Sequence, residues 1–225
     1  MRSPEPLRID VVSDVVCPWC FIGKRRLEKA LALRPDIPVS VHYRPYFLNP
    51  WVPREGMSRE AYLTTKFGSV DRYKANARRI VAAAREEGLA YNLDAITRQP
   101  NTIDCHRLIL WSGATGDPAR MKQRLMELYF TEGADLSRPD VLAGAAHDCG
   151  MDGDAVRALL TTDKDVAIVE GEAQSAKDAG IDGVPCFIFG GVLTVSGAQA
   201  PEYLASALER AVAKRHEPAE ADTRV

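Results

Sequence analysis

Cys17 and Cys20, two cysteines three positions apart, are the residues of this sequence with the clearest chemistry. The preceding residues 7–13 are rich in β-branched side chains and predict a strand, and residues 21–33 have the apolar spacing of a helix. A helix N-terminus offers unpaired N–H groups and about half a positive charge, which stabilises a thiolate. The pair therefore predicts thiol–disulfide exchange, with Cys17 as the nucleophile and Cys20 as the resolving thiol.

Pro18 and Trp19 separate the two cysteines and complete the motif. Proline suits the first helical position, where its missing N–H removes no hydrogen bond, and tryptophan brings no charge near the thiolate. Two other interpretations stay open at this point: half of a zinc site, or two buried structural thiols. A zinc site needs further ligands, and the four histidines show no metal-ligand spacing, so no metal site is predicted.

The composition sets limits on the class of protein. A chain of 225 residues with 46% hydrophobic and 27% charged residues is typical of a soluble globular protein. Its formal net charge of −2 gives no reason to expect nucleic acid or an anionic membrane as partner. No apolar run approaches the roughly 20 residues that span a bilayer, and residues 1–6 lack the apolar stretch of a secretory signal. We therefore expect a cytoplasmic protein, in which disulfides tend to be transient and catalytic.

The order of the predicted elements indicates the fold class. Strands at 7–13 and 38–44 enclose the first helix, and prolines then interrupt regular structure. About a hundred residues of helical pattern follow, in which no strand is expected. Two short strands around the Gly190-Gly191 hairpin signal and a final helix over 200–214 end the pattern. This order predicts an α/β fold: a thioredoxin-like core, with a central sheet flanked by helices, and a large all-helical insertion after the second strand.

The same order predicts domain boundaries. We expect a discontinuous thioredoxin-like domain of residues 1–52 and 165–215, a helical insertion domain of residues 53–164, and a polar, disordered tail of residues 216–225.

The Cys-Pro-Trp-Cys motif at 17–20, together with the later Gly183-Val184-Pro185, resembles the thioredoxin superfamily. More narrowly, the chain is similar to the FrnE-like branch of the DsbA-type thiol–disulfide oxidoreductases. The stretches that carry this similarity are 13–14, 23–24, 27–28, 48–50, 55–57, 66–68, 101–102, 106–108, 129–133 and 195–199. The resemblance implies exchange chemistry, a helical lid domain and a cis peptide bond between Val184 and Pro185. A cis bond would present the Val184 backbone beside Cys17, where an extended substrate could add as a strand.

Several positions keep two interpretations. Cys186, where related proteins are expected to have an aromatic or aliphatic residue, is either a packed strand residue or an accessory redox thiol. Cys105 and Cys149 have helical spacing with apolar neighbours and are expected in the core. Asn101 and Thr102 are expected to cap a helix, and the resemblance adds that this helix start could line the substrate cleft.

The predicted function is thiol–disulfide oxidoreductase activity on protein or small-molecule disulfides. No bound cofactor is expected, because the Cys17–Cys20 disulfide is the reacting group; glutathione is a candidate co-substrate. The nearest alternative is a glutathione-dependent transferase or isomerase of the kappa-class or hydroxychromene-carboxylate isomerase type, whose members usually have serine where Cys17 stands. A zinc-binding module is an alternative of another class. The sequence leaves the substrate and the oligomeric state, monomer or homodimer, undetermined.

Overall fold

The structure is a computed structural model that describes residues 5–216. In chain order the strands are β1 (Leu7–Ser13), β2 (Val39–Pro45), β3 (Met57–Ser58), β4 (Arg98–Gln99), β5 (Cys186–Phe189) and β6 (Leu193–Ser196). The α-helices are α1 (Pro18–Leu33), α2 (Arg59–Phe67), α3 (Val70–Glu86), α4 (Ile103–Ser112), α5 (Pro118–Phe130), α6 (Pro139–Asp148), α7 (Gly153–Leu160), α8 (Val166–Asp178) and α9 (Pro201–His216).

The central sheet has the strand order β2-β1-β5-β6. The β1–β2 pair is parallel because α1 connects the two strands, whereas β1–β5 and β5–β6 are antiparallel. The second half of β1, from Val11 to Ser13, is buried on both faces of the sheet, whereas Arg8 and Asp10 leave one face of its first half partly exposed. Ile9 and Phe187 pack toward α1 and α9, while Val12 and Cys186 pack toward Tyr46 and α8. This arrangement confirms the predicted α/β fold, with a thioredoxin-like sheet between layers of helices.

The segment between β2 and α8 is helical with one exception. Strands β3 and β4 form a small antiparallel ladder that pairs Met57 with Gln99 and Ser58 with Arg98. The expectation that no strand interrupts this segment was therefore wrong, because two-residue strands are too short to produce an alternating pattern. The domain boundaries at 52/53 and 164/165 stay a prediction. The predicted tail lies outside the described residues, apart from position 216, which ends α9.

Helix α1 connects the sheet with the inserted helices. Leu27 and Ala30 belong to the apolar cluster on the sheet, whereas Phe21 and Ile22 belong to the cluster that includes the insertion. Helix α1 is therefore fixed by packing on both sides: its start, which carries the two cysteines, packs in the cluster that includes the insertion, and its second half packs on the sheet. Within residues 5–216 no helix has the length and the apolar character needed to cross a membrane.

Candidate active site

Cys17 lies at the N-cap of α1, and three residues separate it from the end of β1. Its backbone is extended (φ −90°, ψ 113°), and its side chain makes no capping hydrogen bond. Pro18 begins the helix, and the first turn contains no acidic residue. The positive end of the helix dipole therefore lies at this sulfur without an opposing carboxylate on the same turn, an arrangement that stabilises negative charge as it develops on the sulfur during exchange.

Cys20 lies one turn further along α1. Its side chain is buried, and so is that of Cys17; both are free thiols. Burial, followed by the neighbouring Cys17, raises the pKa of Cys20 well above its usual value, although Lys122 opposes this rise. At neutral pH Cys20 is therefore a protonated thiol. The two sulfurs occupy different electrostatic environments although they are three residues apart.

The Val184–Pro185 loop lies beside the pair, and its peptide bond is cis. The Sγ of Cys17 donates a hydrogen bond to the carbonyl oxygen of Val184 at 3.7 Å. The ring of Pro185 rests on α1 at Gly23, where an added Cβ would lie only 2.8 Å from the Pro185 Cγ. The glycine at position 23 is therefore what allows the loop to approach the helix so closely.

A pocket of about 340 Å³ opens next to Cys17. Its walls contain Cys17 itself, Pro18, Trp19 and Val184, so the structure brings these four predicted residues together. Helices α2 and α3 supply the opposite wall. The remaining lining residues are Val16, Leu48, Arg59, Tyr62, Lys66, Phe67, Tyr73, Asn76, Arg79, Ile80 and Phe130.

Asn101 and Thr102 lie elsewhere. They line a separate cavity of about 230 Å³ that shares no lining residue with the pocket at Cys17. The side chain of Asn101 accepts a hydrogen bond from the Ile103 N–H at 3.0 Å, whereas Thr102, the N-cap of α4, makes no side-chain capping bond. The structure thus gives Asn101 a local role at the start of the helix, and it separates both residues from the pocket at Cys17.

Cys186 is buried on the face of the sheet that packs against α8, in a cluster with Val12 and Tyr46. The two cysteines of the motif belong to a different apolar cluster. Burial raises the pKa of the Cys186 thiol, although a hydrogen bond with Ser196 opposes this. Its position favours the interpretation as a packed strand residue.

Three buried ionisable residues lie near the start of α1. Asp14 and His106 belong to stretches that carry the family resemblance but were given no role from the sequence, and Lys122 was not singled out at all. Asp14 accepts hydrogen bonds from the Leu48 N–H at 2.8 Å and from the Nε2 of His106 at 3.3 Å. Burial by itself would raise the pKa of Asp14, but the bonds from His106 and Leu48 outweigh it and lower that pKa. Burial also lowers the pKa of His106, so a neutral imidazole donates to a charged carboxylate.

Lys122 of α5 is the third of these residues, and it is only 1% exposed. Its Nζ donates to the Ser13 carbonyl at 3.4 Å, and burial lowers its pKa to about 8. Negative charge on Asp14, or on Cys20 in its thiolate form, opposes that lowering of the Lys122 pKa, so this amine lies within electrostatic range of the resolving thiol. Nothing in the sequence distinguished Lys122 from other charged residues of its helix. Lys122 is unusual because its amine is buried, and only the tertiary structure determines this burial.

No cluster of three or more His, Cys, Asp or Glu side chains suited to a metal ion occurs in the part of the chain that the structure describes.

The sequence analysis also gave no role to the cationic residues of the pocket at Cys17. A signal existed for two of them, because Arg59 and Lys66 are seven residues apart and therefore share one face of α2.

Known proteins resemble this chain in sequence and in fold. The crystal structure of the probable DsbA oxidoreductase SCO1869 from Streptomyces coelicolor is 30% identical, with a TM-score of 0.86, and the match covers 97% of this chain and 95% of that one. The cytosolic disulfide reductase DsbM from Pseudomonas aeruginosa, solved with GSH, shares the fold at a TM-score of 0.63 and 18% identity, over 92% and 99% of the two chains. A 2-hydroxychromene-2-carboxylate isomerase shares the fold with a TM-score of 0.69 and 17% sequence identity, and the match covers 92% of this chain and 97% of that one. The profile of the DSBA-like thioredoxin domain matches residues 8–209, and the chain therefore belongs to the DSBA-like thioredoxin domain family.

Proposed function

We propose that this protein is a thiol–disulfide oxidoreductase in which Cys17 is the nucleophile and Cys20 the resolving thiol. The observation that carries the proposal is the placement of Cys17 at the N-cap of α1, with a buried, protonated Cys20 one turn later. The helix N-terminus stabilises Cys17 as the attacking thiolate, and the buried Cys20 remains a thiol until the second step of the exchange. Membership of the family supports an oxidoreductase or a related enzyme in general.

The exchange balances in two steps. The Cys17 thiolate attacks one sulfur of a substrate disulfide, so that a mixed disulfide forms and the first substrate thiolate leaves. Cys20 then loses its proton and attacks the Sγ of Cys17, which releases the second substrate thiolate and forms the Cys17–Cys20 disulfide. Two electrons pass to the substrate, and each released thiolate takes up a proton. A substrate dithiol drives the same steps in reverse.

The backbone at Val184 supports binding of an extended substrate. Its carbonyl oxygen lies 3.7 Å from the Sγ of Cys17, so a substrate chain that paired with this backbone would pass the reactive sulfur. In this proposal Val184 and Pro185 form the substrate-binding loop. The FrnE-like assignment and the cytoplasmic location stay predictions.

The decisive experiment is reduction of insulin by dithiothreitol, followed by turbidity. We expect Cys17→Ser to lower the catalysed rate at least about a hundredfold, because serine forms neither a thiolate nor a disulfide. Cys149→Ser is the matched control, since Cys149 is a free thiol at the end of α6 and does not line the pocket. Equal rates for Cys17→Ser and the wild type would refute the assignment.

A glutathione-dependent transferase or isomerase is the second candidate, and the cationic pocket at Cys17 is the observation that favours it. Activation of glutathione for addition needs no resolving thiol. Cys20→Ser should therefore abolish insulin reduction under the oxidoreductase proposal, whereas it should leave a conjugation or isomerisation activity largely intact. Parallel assays of this single variant discriminate between the two candidates.

A further inference from the structure

The pocket beside Cys17 has an unbalanced charge. Three of its lining residues are cationic, namely Arg59 and Lys66 on α2 and Arg79 on α3. No lining residue of this pocket is acidic. The groove on the other side of α3 is different, because Glu86 and Asp94 accompany its cations Lys74, Arg78 and Arg85. A cavity lined by one sign of charge with apolar walls concentrates ions of the opposite sign.

None of the three cations forms an ion pair within residues 5–216. The guanidinium of Arg59 donates only to neutral oxygens of Gln99, Tyr73 and Tyr129, and its buried Nε has no hydrogen-bond partner. The amine of Lys66 donates to the side-chain oxygen of Asn49 at 2.6 Å. No carboxylate therefore pairs directly with the positive charges of this wall, although the buried Asp14 acts on Lys66 at longer range.

Aromatic rings hold two of these cations in place. The guanidinium of Arg59 lies 5.1 Å from the ring centroids of Tyr62 and Tyr73, and the amine of Lys66 lies 5.6 Å from that of Tyr62. Cation–π contacts orient a cation without cancelling its charge. Arg79, which has no hydrogen bond or ion pair in the described chain, supplies an exposed third charge at the same pocket.

We propose that this pocket is an anion subsite, and that the preferred substrate is a low-molecular-weight disulfide that carries carboxylates. The inference rests on the proposed function, since it assigns a substrate class to the same exchange reaction. A carboxylate bound by Arg59, Lys66 and Arg79 would hold the attached disulfide in the same pocket that Cys17 lines. The volume of about 340 Å³ lies in the range of small-molecule sites.

Single-turnover oxidation of the reduced protein measures this selectivity without an added reductant. Three disulfide probes differ in charge: glutathione disulfide is anionic, hydroxyethyl disulfide is neutral and cystamine is cationic. The reaction is quenched by alkylation and followed by mass spectrometry, and each rate is divided by the rate of the same probe with dithiothreitol. This ratio removes differences in leaving-group chemistry. We expect the normalised rates to fall from the anionic to the neutral to the cationic probe, and to converge in about 0.5 M sodium chloride.

Arg79 and Arg78 provide a matched pair of variants. Both are exposed residues of α3, but Arg79 lines the pocket at Cys17 and Arg78 lines the groove on the other side. We expect R79Q to lower the normalised rate for glutathione disulfide about two- to fivefold and to leave the neutral probe unchanged. Charge reversal in R79E should raise the rate for cystamine, whereas R78Q should behave as the wild type.

The results separate this inference from the function on which it rests. Equal normalised rates for the three probes, or the same loss in R78Q as in R79Q, would overturn the anion subsite while exchange itself remained. Failure of the reduced wild type to react with any probe would instead remove the proposed function. Circular dichroism of each variant checks that the change is confined to the pocket.

Discussion

The two sides of the pocket at Cys17 are built in contrasting ways. The α1 side carries the sulfurs, and seven residues of this helix, Cys20 to Lys24, Leu27 and Ala30, are buried between the sheet and the inserted helices. The α3 side supplies Arg79, and Ala84 is the one buried residue of that helix. The reactive sulfur is thus fixed by packing, whereas Arg79, one of the three cations of the pocket, comes from a surface helix.

This contrast teaches that reactivity and selectivity rest on different forces in this protein. Packing energy depends on buried area, so changes near Cys17 affect stability as well as chemistry. Charges on a surface helix act through an electric field that salt screens, so changes there alter selectivity and cost little stability. The predictions that follow test this difference, beginning with the largest effect.

Truncation of Phe21 in α1 should lower the free energy of unfolding far more than truncation of Val81 in α3. Phe21 is 1% exposed and its ring lies against those of Tyr91 and Phe130, whereas Val81 is 37% exposed. We expect Phe21→Ala to lower the free energy of unfolding by about 3–5 kcal/mol. Val81→Ala should change it by no more than about 0.5 kcal/mol. Urea denaturation measures both, and similar losses would contradict the division into a packed side and a surface side.

Replacement of Lys122 should slow the second step of exchange. The positive charge of this buried amine lowers the pKa of Cys20, so Lys122→Met removes a force that favours the attacking thiolate. We expect resolution to slow about three- to tenfold, so that the Cys17 mixed disulfide accumulates. Quenched-flow mass spectrometry detects this species. Lys24→Met is the control, because Lys24 is also buried and cationic but is paired with Glu28. Unchanged resolution in Lys122→Met would show that the amine is structural only.

The pair of Asp14 and His106 should make folding sensitive to mild acid. Burial lowers the pKa of His106 below 6.5, so the unfolded state binds a proton that the folded state resists. Stability is therefore fully present above the unfolded pKa and is lost as the pH falls below it. Between about pH 7.5 and pH 5.5, the wild type should lose about 1 kcal/mol more than His106→Gln, which keeps an amide donor for Asp14. Urea titrations at the two pH values measure the free energy of unfolding, and an equal loss for the wild type and His106→Gln would contradict this assignment.

Local sequence patterns predicted much of the fold and part of the site. The β1–α1 junction, the hairpin after Pro185 and the helical character of the insertion follow from apolar periodicity and from the positions of glycine and proline. The β3–β4 ladder was missed because it pairs residues about forty positions apart over only two residues per strand. Asn101 was expected to cap a helix, and the resemblance added a possible place at the substrate cleft; the cavity that it lines is separate from the pocket at Cys17.

The sequence by itself determined that Cys17 stands at a helix start with Cys20 one turn later, because this depends only on neighbouring residues and their backbone preferences. Tertiary structure alone decided which charges surround the two sulfurs. Lys122, Arg59 and Arg79 are distant from Cys17 in sequence and resemble ordinary surface cations there. Folding buries the first near Cys20, where the dielectric is low, and brings the other two to a pocket wall that contains no carboxylate.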